Sequence, residues 1–173
     1  MDYQLSEIIA ILERTPKTLR ALLSGLSEGW TSINEGPDTW NAFDILGHFV
    51  HGELTDWIPR GEIILSDKVD KTFIPFDRFA QEKTSIGKST ADLLDEFEKL
   101  RTANLGTLKS WNLSDADLRK TGIHPEFGEV TLKELLITWA IHDMAHLAQI
   151  TRVMAKRFSA DMGPWRKYIS LVN

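Results

Sequence analysis

Apolar side chains recur every three to four residues over four long stretches of this chain, and an apolar stripe of that period is buried when helices pack together. The first stretch, residues 4–26, carries Leu5, Ile8, Ile9 and Leu12, then Leu19, Leu22, Leu23 and Leu26. Thr15-Pro16 interrupts it. A proline inside a helix costs about 3 kcal/mol but is tolerated in a first turn, so Thr15 is expected to cap a second segment and bend the rod. The turn cluster Asn34-Glu35-Gly36-Pro37-Asp38 precedes a second helix. That helix should start between Thr39 and Asn41, run through His48 to about Trp57, and kink or end at Pro59. The third starts at Ser89 or Thr90 and carries Leu93, Leu94, Phe97, Leu100, Leu105 and Leu108 before Trp111.

The fourth stretch has the clearest start, because Thr131-Leu132-Lys133-Glu134 matches a capping box. It should run to about Arg157 and stop at Met162-Gly163-Pro164-Trp165, with a short terminal segment beyond. Its apolar content is high nearly all round, which predicts the most buried helix of the set. Residues 66–88 read as a long loop bearing Phe73, Ile74, Phe76 and Phe79, suited to form one wall of a pocket. Ser114 to Asp117 looks like one extra turn, and residues 121–130, with two glycines and a proline, like a loop or small hairpin. With 173 residues, the expectation is one domain over 1–173. Its fold class is all-α, a four-helix bundle with long loops and a short terminal segment.

Charge removes several functions. Lys and Arg total 20 against 25 Asp and Glu, for a net charge of −5. No basic cluster is present to release phosphate counterions, so no nucleic-acid partner is expected. Cysteine is absent, which excludes disulfides, thiolate-ligated metals and a cysteine nucleophile. Any metal must therefore use His, Asp, Glu or water. An acidic N-terminus and the lack of an apolar run near the roughly 20 residues of a membrane span predict a cytoplasmic protein with no membrane partner.

His142 and His146 stand four apart on the fourth helix, hence on one face and able to share an ion. His48 lies mid-way along the second helix among Phe43, Ile45, Leu46, Phe49 and Val50, and faces inward if that helix packs on the fourth. Three neutral imidazoles with an open position suit zinc, nickel or another late divalent ion. On spacing alone, a pair of surface histidines and a satisfied core histidine remain the competing reading.

Two motifs carry a family resemblance: Trp40-Asn41-Ala42-Phe43-Asp44-Ile45-Leu46-Gly47-His48, and His142-Asp143-Met144-Ala145-His146-Leu147-Ala148-Gln149-Ile150. Together they resemble the DinB/YfiT-like superfamily over nearly the whole chain. The resemblance implies a four-helix bundle, frequent homodimerisation, and one divalent metal, zinc or nickel, held by His48, His142 and His146. It further implies either metal-assisted hydrolysis or transfer of a low-molecular-weight thiol, with a small molecule as substrate. The competing class is a metal-binding structural dimer without turnover. A fourth protein ligand would favour that class, and a solvent-filled position would favour catalysis.

Around the triad, His51 and Glu53 are the candidates for proton transfer, each with a solvated helix face as its alternative. Asp44, Thr138 and Gln149 stand three or four residues from a candidate ligand and are placed to orient imidazoles. Trp139 shares the face of His142 and is a candidate pocket wall, while His124 reads as a loop residue. A zincin reading fails, since Asp143 stands where His-Glu-x-x-His needs glutamate. No phosphate-cradling glycine loop or Gly-x-Ser-x-Gly elbow occurs.

Overall fold

A computed structural model describes residues 4–172 of the chain. The first rod is broken, as Pro16 requires, into α1 (Leu5–Leu12) and α2 (Thr15–Leu23), with a single turn, α3 (Glu28–Thr31), after it. Thr15 lies inside the first turn of α2 and does not cap it: its hydroxyl reaches back to the Ile11 carbonyl at 3.3 Å. The second rod is α4 (Ala42–Thr55) followed by α5 (Trp57–Leu65). The break falls at Asp56, three residues before Pro59, because proline perturbs the turn that precedes it.

After α5 the chain runs extended, makes a short turn α6 (Gln81–Thr84), and enters the third rod α7 (Thr90–Ser110). One turn, α8 (Asp115–Leu118), leads to a two-stranded antiparallel hairpin, β1 (Thr121–His124) and β2 (Gly128–Thr131), in which Thr121 faces Thr131 and His124 faces Gly128. The fourth rod, α9 (Leu132–Lys156), starts at the expected capping box, where Glu134 Oε2 accepts from the Thr131 backbone at 2.7 Å. It ends well before Gly163, and two 3-10 segments, Ser159–Tyr168 and Ser170–Val172, complete the described chain.

Two apolar clusters fill the bundle. One centres on Leu12, Ile64, Phe73, Leu136 and Trp139, the other on Leu19, Ile45, Phe49, Leu93 and Phe97. Between them lies Arg101, with the Phe97 ring 4.8 Å away on one side and the Trp139 ring 5.1 Å away on the other. The expectation that α9 is the most buried helix is corrected: nine of its 25 residues are buried against nine of the 14 in α4, and Ile141 is 56% and Met144 51% exposed. In a four-rod bundle each rod meets its neighbours through one stripe, and the outer face of α9 has nothing packed on it among the described residues. No helix of the described residues is long and apolar enough to cross a membrane.

The extended segment after α5 is stitched to the hairpin, since Ile123 N donates to Lys71 O and Phe73 N to Ile123 O, each at 2.9 Å. Gly122 makes this possible: a Cβ there would stand 2.5 Å from the Phe73 ring. Loop and hairpin are thus hydrogen-bonded into one cover.

Candidate metal centre

The N-terminus of α4 is fixed by a capping box in which Asn41 Oδ1 accepts from Asp44 N at 2.9 Å and Asp44 Oδ2 accepts from Asn41 N at 3.0 Å. Asp44 is thereby committed to the helix end rather than to His48. Gly47 lets α6 approach, because a Cβ would lie 2.5 Å from Ser85 Oγ. His48, next in sequence, points to the opposite neighbour, α9. Its Nε2 stands 3.0 Å from His142 Nε2, and ligand atoms of His48, His142 and His146 all lie within 4.8 Å of one another. Gln149 Oε1 accepts from His146 Nδ1 at 2.7 Å, which puts the proton on that nitrogen and leaves the Nε2 lone pair free.

Burial, the largest effect, pushes the His48 imidazole down to about 3 and His142 to about 2, with neighbouring imidazoles adding to it. Burial lowers His146 as well, opposed by its bond to Gln149. All three rings are therefore neutral at pH 7, the form that binds a metal. Two neutral imidazole nitrogens only 3.0 Å apart either share one proton or oppose their lone pairs, and a cation held between them removes that conflict. The donor set fits a divalent ion. The Nδ1 atoms of His48 and His142 are buried without a hydrogen-bond partner among the described residues, so only His146 has its far nitrogen anchored.

Aromatic rings box the cluster. Trp40 lies 4.8 Å from the His48 ring, Trp57 5.0 Å from His142 and Phe49 5.7 Å from His146. The open side faces a cavity of about 310 Å³ shared with Asp56, Arg60, Phe76, Arg78 and His124. A larger cleft, about 700 Å³, opens between α2, α6 and the N-terminus of α7, but no histidine lines it.

The remaining sequence candidates divide clearly. Glu53 is 2% exposed and does not line the cavity. Its Oε1 accepts from Arg101 Nη2 at 2.8 Å and from Trp139 Nε1 at 3.1 Å, and its Oε2 from Asn104 Nδ2 at 2.9 Å. Asp143 takes the other side of the same guanidinium, 2.6 Å from Nη1. Burial raises the Glu53 carboxyl against the pull of Arg101; for Arg101, burial works downward and the two carboxylates outweigh it. His51 packs its ring 4.9 Å from Phe76, outside the cavity lining. Thr138 is exposed, and Trp139 is fully buried against Trp57 at 5.8 Å, beneath the cavity rather than in its wall.

Residues that sequence reasoning missed line the cavity instead. Asp56 pairs with Arg60 at 2.7 Å, and burial raises its carboxyl to about 6. As an (i, i+4) pair it reads in sequence like an ordinary solvated one; only the helix break at Asp56 turns it inward. Arg78 sits on the loop whose phenylalanines marked it as a wall. His124 accepts at Nδ1 from the backbone of Glu126 and Phe127, at 3.1 and 3.3 Å, and stacks on the Phe127 ring at 4.3 Å.

Three imidazoles from two facing rods, open to a cavity, form a donor set of the kind that helical bundles use to hold a metal among their helices. The model of the DinB superfamily matches residues 11–150, and the chain belongs to that superfamily. Among solved structures the fold is similar to YfiT from Bacillus subtilis, described as a probable metal-dependent hydrolase with an unusual four-helix bundle topology. The two agree at a TM-score of 0.74 with 18% identity, over 88% of this chain and 87% of that one. No curated protein matched the chain by sequence.

Proposed function

We propose that this protein is a metal-dependent hydrolase whose divalent ion, zinc or nickel, is held by His48, His142 and His146. The observation that carries the reading is the three-ligand set facing a cavity, with no fourth protein ligand in the group among the described residues. A structural site would be closed by a fourth side chain, and the two candidates that the sequence offered are engaged elsewhere: Glu53 with Arg101, His51 with Phe76. An ion bound there supplies Lewis acidity, lowering the pKa of a water or thiol at its open position.

Asp56 is the cavity's proton acceptor. Its carboxyl, buried and set at about 6, can take up and return a proton near neutral pH, and Arg60 holds it in place. Water is a far weaker acid than a thiol, so a base in the same cavity favours hydrolysis over thiol transfer. Trp40 and Phe76 restrict solvent on the open side. The experiment is a panel of ester, amide and thiol-plus-electrophile substrates on metal-loaded protein and its Asp56→Asn variant. The expected result is hydrolysis that falls about 100-fold in the variant at unchanged metal content. Turnover only with the thiol, or hydrolysis indifferent to Asp56, would overturn this reading.

A further inference from the structure

Polar groups of the cavity beyond the triad are unevenly matched. Arg60, 8% exposed, is neutralised by Asp56 and rests 5.2 Å over the Phe73 ring. Arg78 reaches the same cavity and makes no ion pair among the described residues, and its charge is felt at both His48 and His146. The His124 ring is locked: with two backbone N–H groups donating to Nδ1, the proton of the neutral imidazole is on Nε2, a fixed donor. Glu126, on the exposed hairpin turn, is the one carboxylate of the lining not paired with a cavity arginine. Three neutral imidazoles also leave the charge of any bound divalent ion uncompensated. Arg78 and the His124 Nε2–H are thus donors of the lining with no hydrogen-bonded acceptor among the described residues, and the surroundings are aromatic: Phe79 and Phe127 are 59% and 74% exposed, with Phe79 packed 6.5 Å from Trp40.

We infer that the substrate is a small carboxylate with an apolar, preferably aromatic body, its anionic end held by Arg78 and His124 Nε2–H. This rests on the proposed metal centre for the location of the reacting group, while the anion subsite is built from this chain's own residues. Charge-assisted hydrogen bonds to a carboxylate are the stronger kind, and an arginine at a cavity mouth meets a planar anion with two donors.

The test is calorimetric titration of metal-loaded and metal-free protein with phenylacetate and its neutral isostere phenylacetamide, with metal content measured on the same samples. Wild type should prefer the anion by about tenfold or more. Arg78→Met, at an exposed unpaired position, and His124→Phe, which keeps the stack on Phe127, should each lose most of that preference while retaining the metal. Equal affinity for the two probes, no saturable binding of phenylacetate, or a preference intact in both variants would overturn the inference. A preference for the anion in protein that never takes up metal would count against the hydrolase reading and leave the carboxylate subsite standing.

Discussion

Gln149 sets which nitrogen of His146 faces the cavity, because its Oε1 accepts the Nδ1 proton at 2.7 Å. Among the described residues it is the one anchoring contact on the triad, and it stood three residues along the same helix, where spacing suggested it. Asp44 and Thr138 had the same warrant from spacing and do neither job: one is consumed by a helix cap, the other faces solvent. Spacing says which side chains share a face; it says nothing of which stronger partner a side chain meets first. Removing the anchor should matter. Gln149→Leu is expected to weaken metal binding about 10- to 100-fold, measured by competition with a chelator, without changing the stability of the metal-free fold appreciably. An unaltered affinity would mean that packing alone orients His146.

At the scale of elements, the rods are tied by charge as well as by apolar packing. Arg101 of α7 donates to Glu53 of α4, to Asp143 of α9 and to the Leu12 carbonyl at the end of α1. Glu53 follows His48 by five residues and Asp143 lies between His142 and His146, so this buried ion group fixes the two ligand-bearing helices against each other. Its signal was present in the sequence. Arg101 sits on the apolar stripe of Phe97, Leu105 and Leu108, Glu53 on that of Leu46 and Phe49, and Asp143 on that of Leu136 and Trp139. Three charges on three core-facing stripes can be buried only together. Because Glu53 alone reads as a solvated or catalytic carboxylate, the group is recognised only when the rods are considered as packed. Arg101→Met is expected to cost about 3–5 kcal/mol, since it strands two buried carboxylates. Urea unfolding at pH 7 measures it, and a loss below about 1 kcal/mol would contradict the account.

Across the whole molecule, the four-rod architecture was legible because apolar period and helix-start signals agree along the chain; the structure adds capping boxes at Asn41 and Ser89 to the one read at Thr131. What periodicity could not show was the cover. The segment after α5 reads as a loop until its backbone pairs with the hairpin, a non-local contact that Gly122 permits and that no local pattern encodes. That cover brings Arg78 and His124 to a cavity whose floor the sequence did identify. The triad itself was visible as a helical pair plus one inward histidine, and its union depends on α4 packing against α9. The most direct measurement is elemental analysis of protein purified without a metal-affinity tag and incubated with zinc or nickel, beside His48→Ala. About one equivalent of divalent metal is expected in the wild type and a large loss in the variant, with the helical fold retained in both. No bound metal in the wild type, or equal content in the two, would contradict the three-histidine centre.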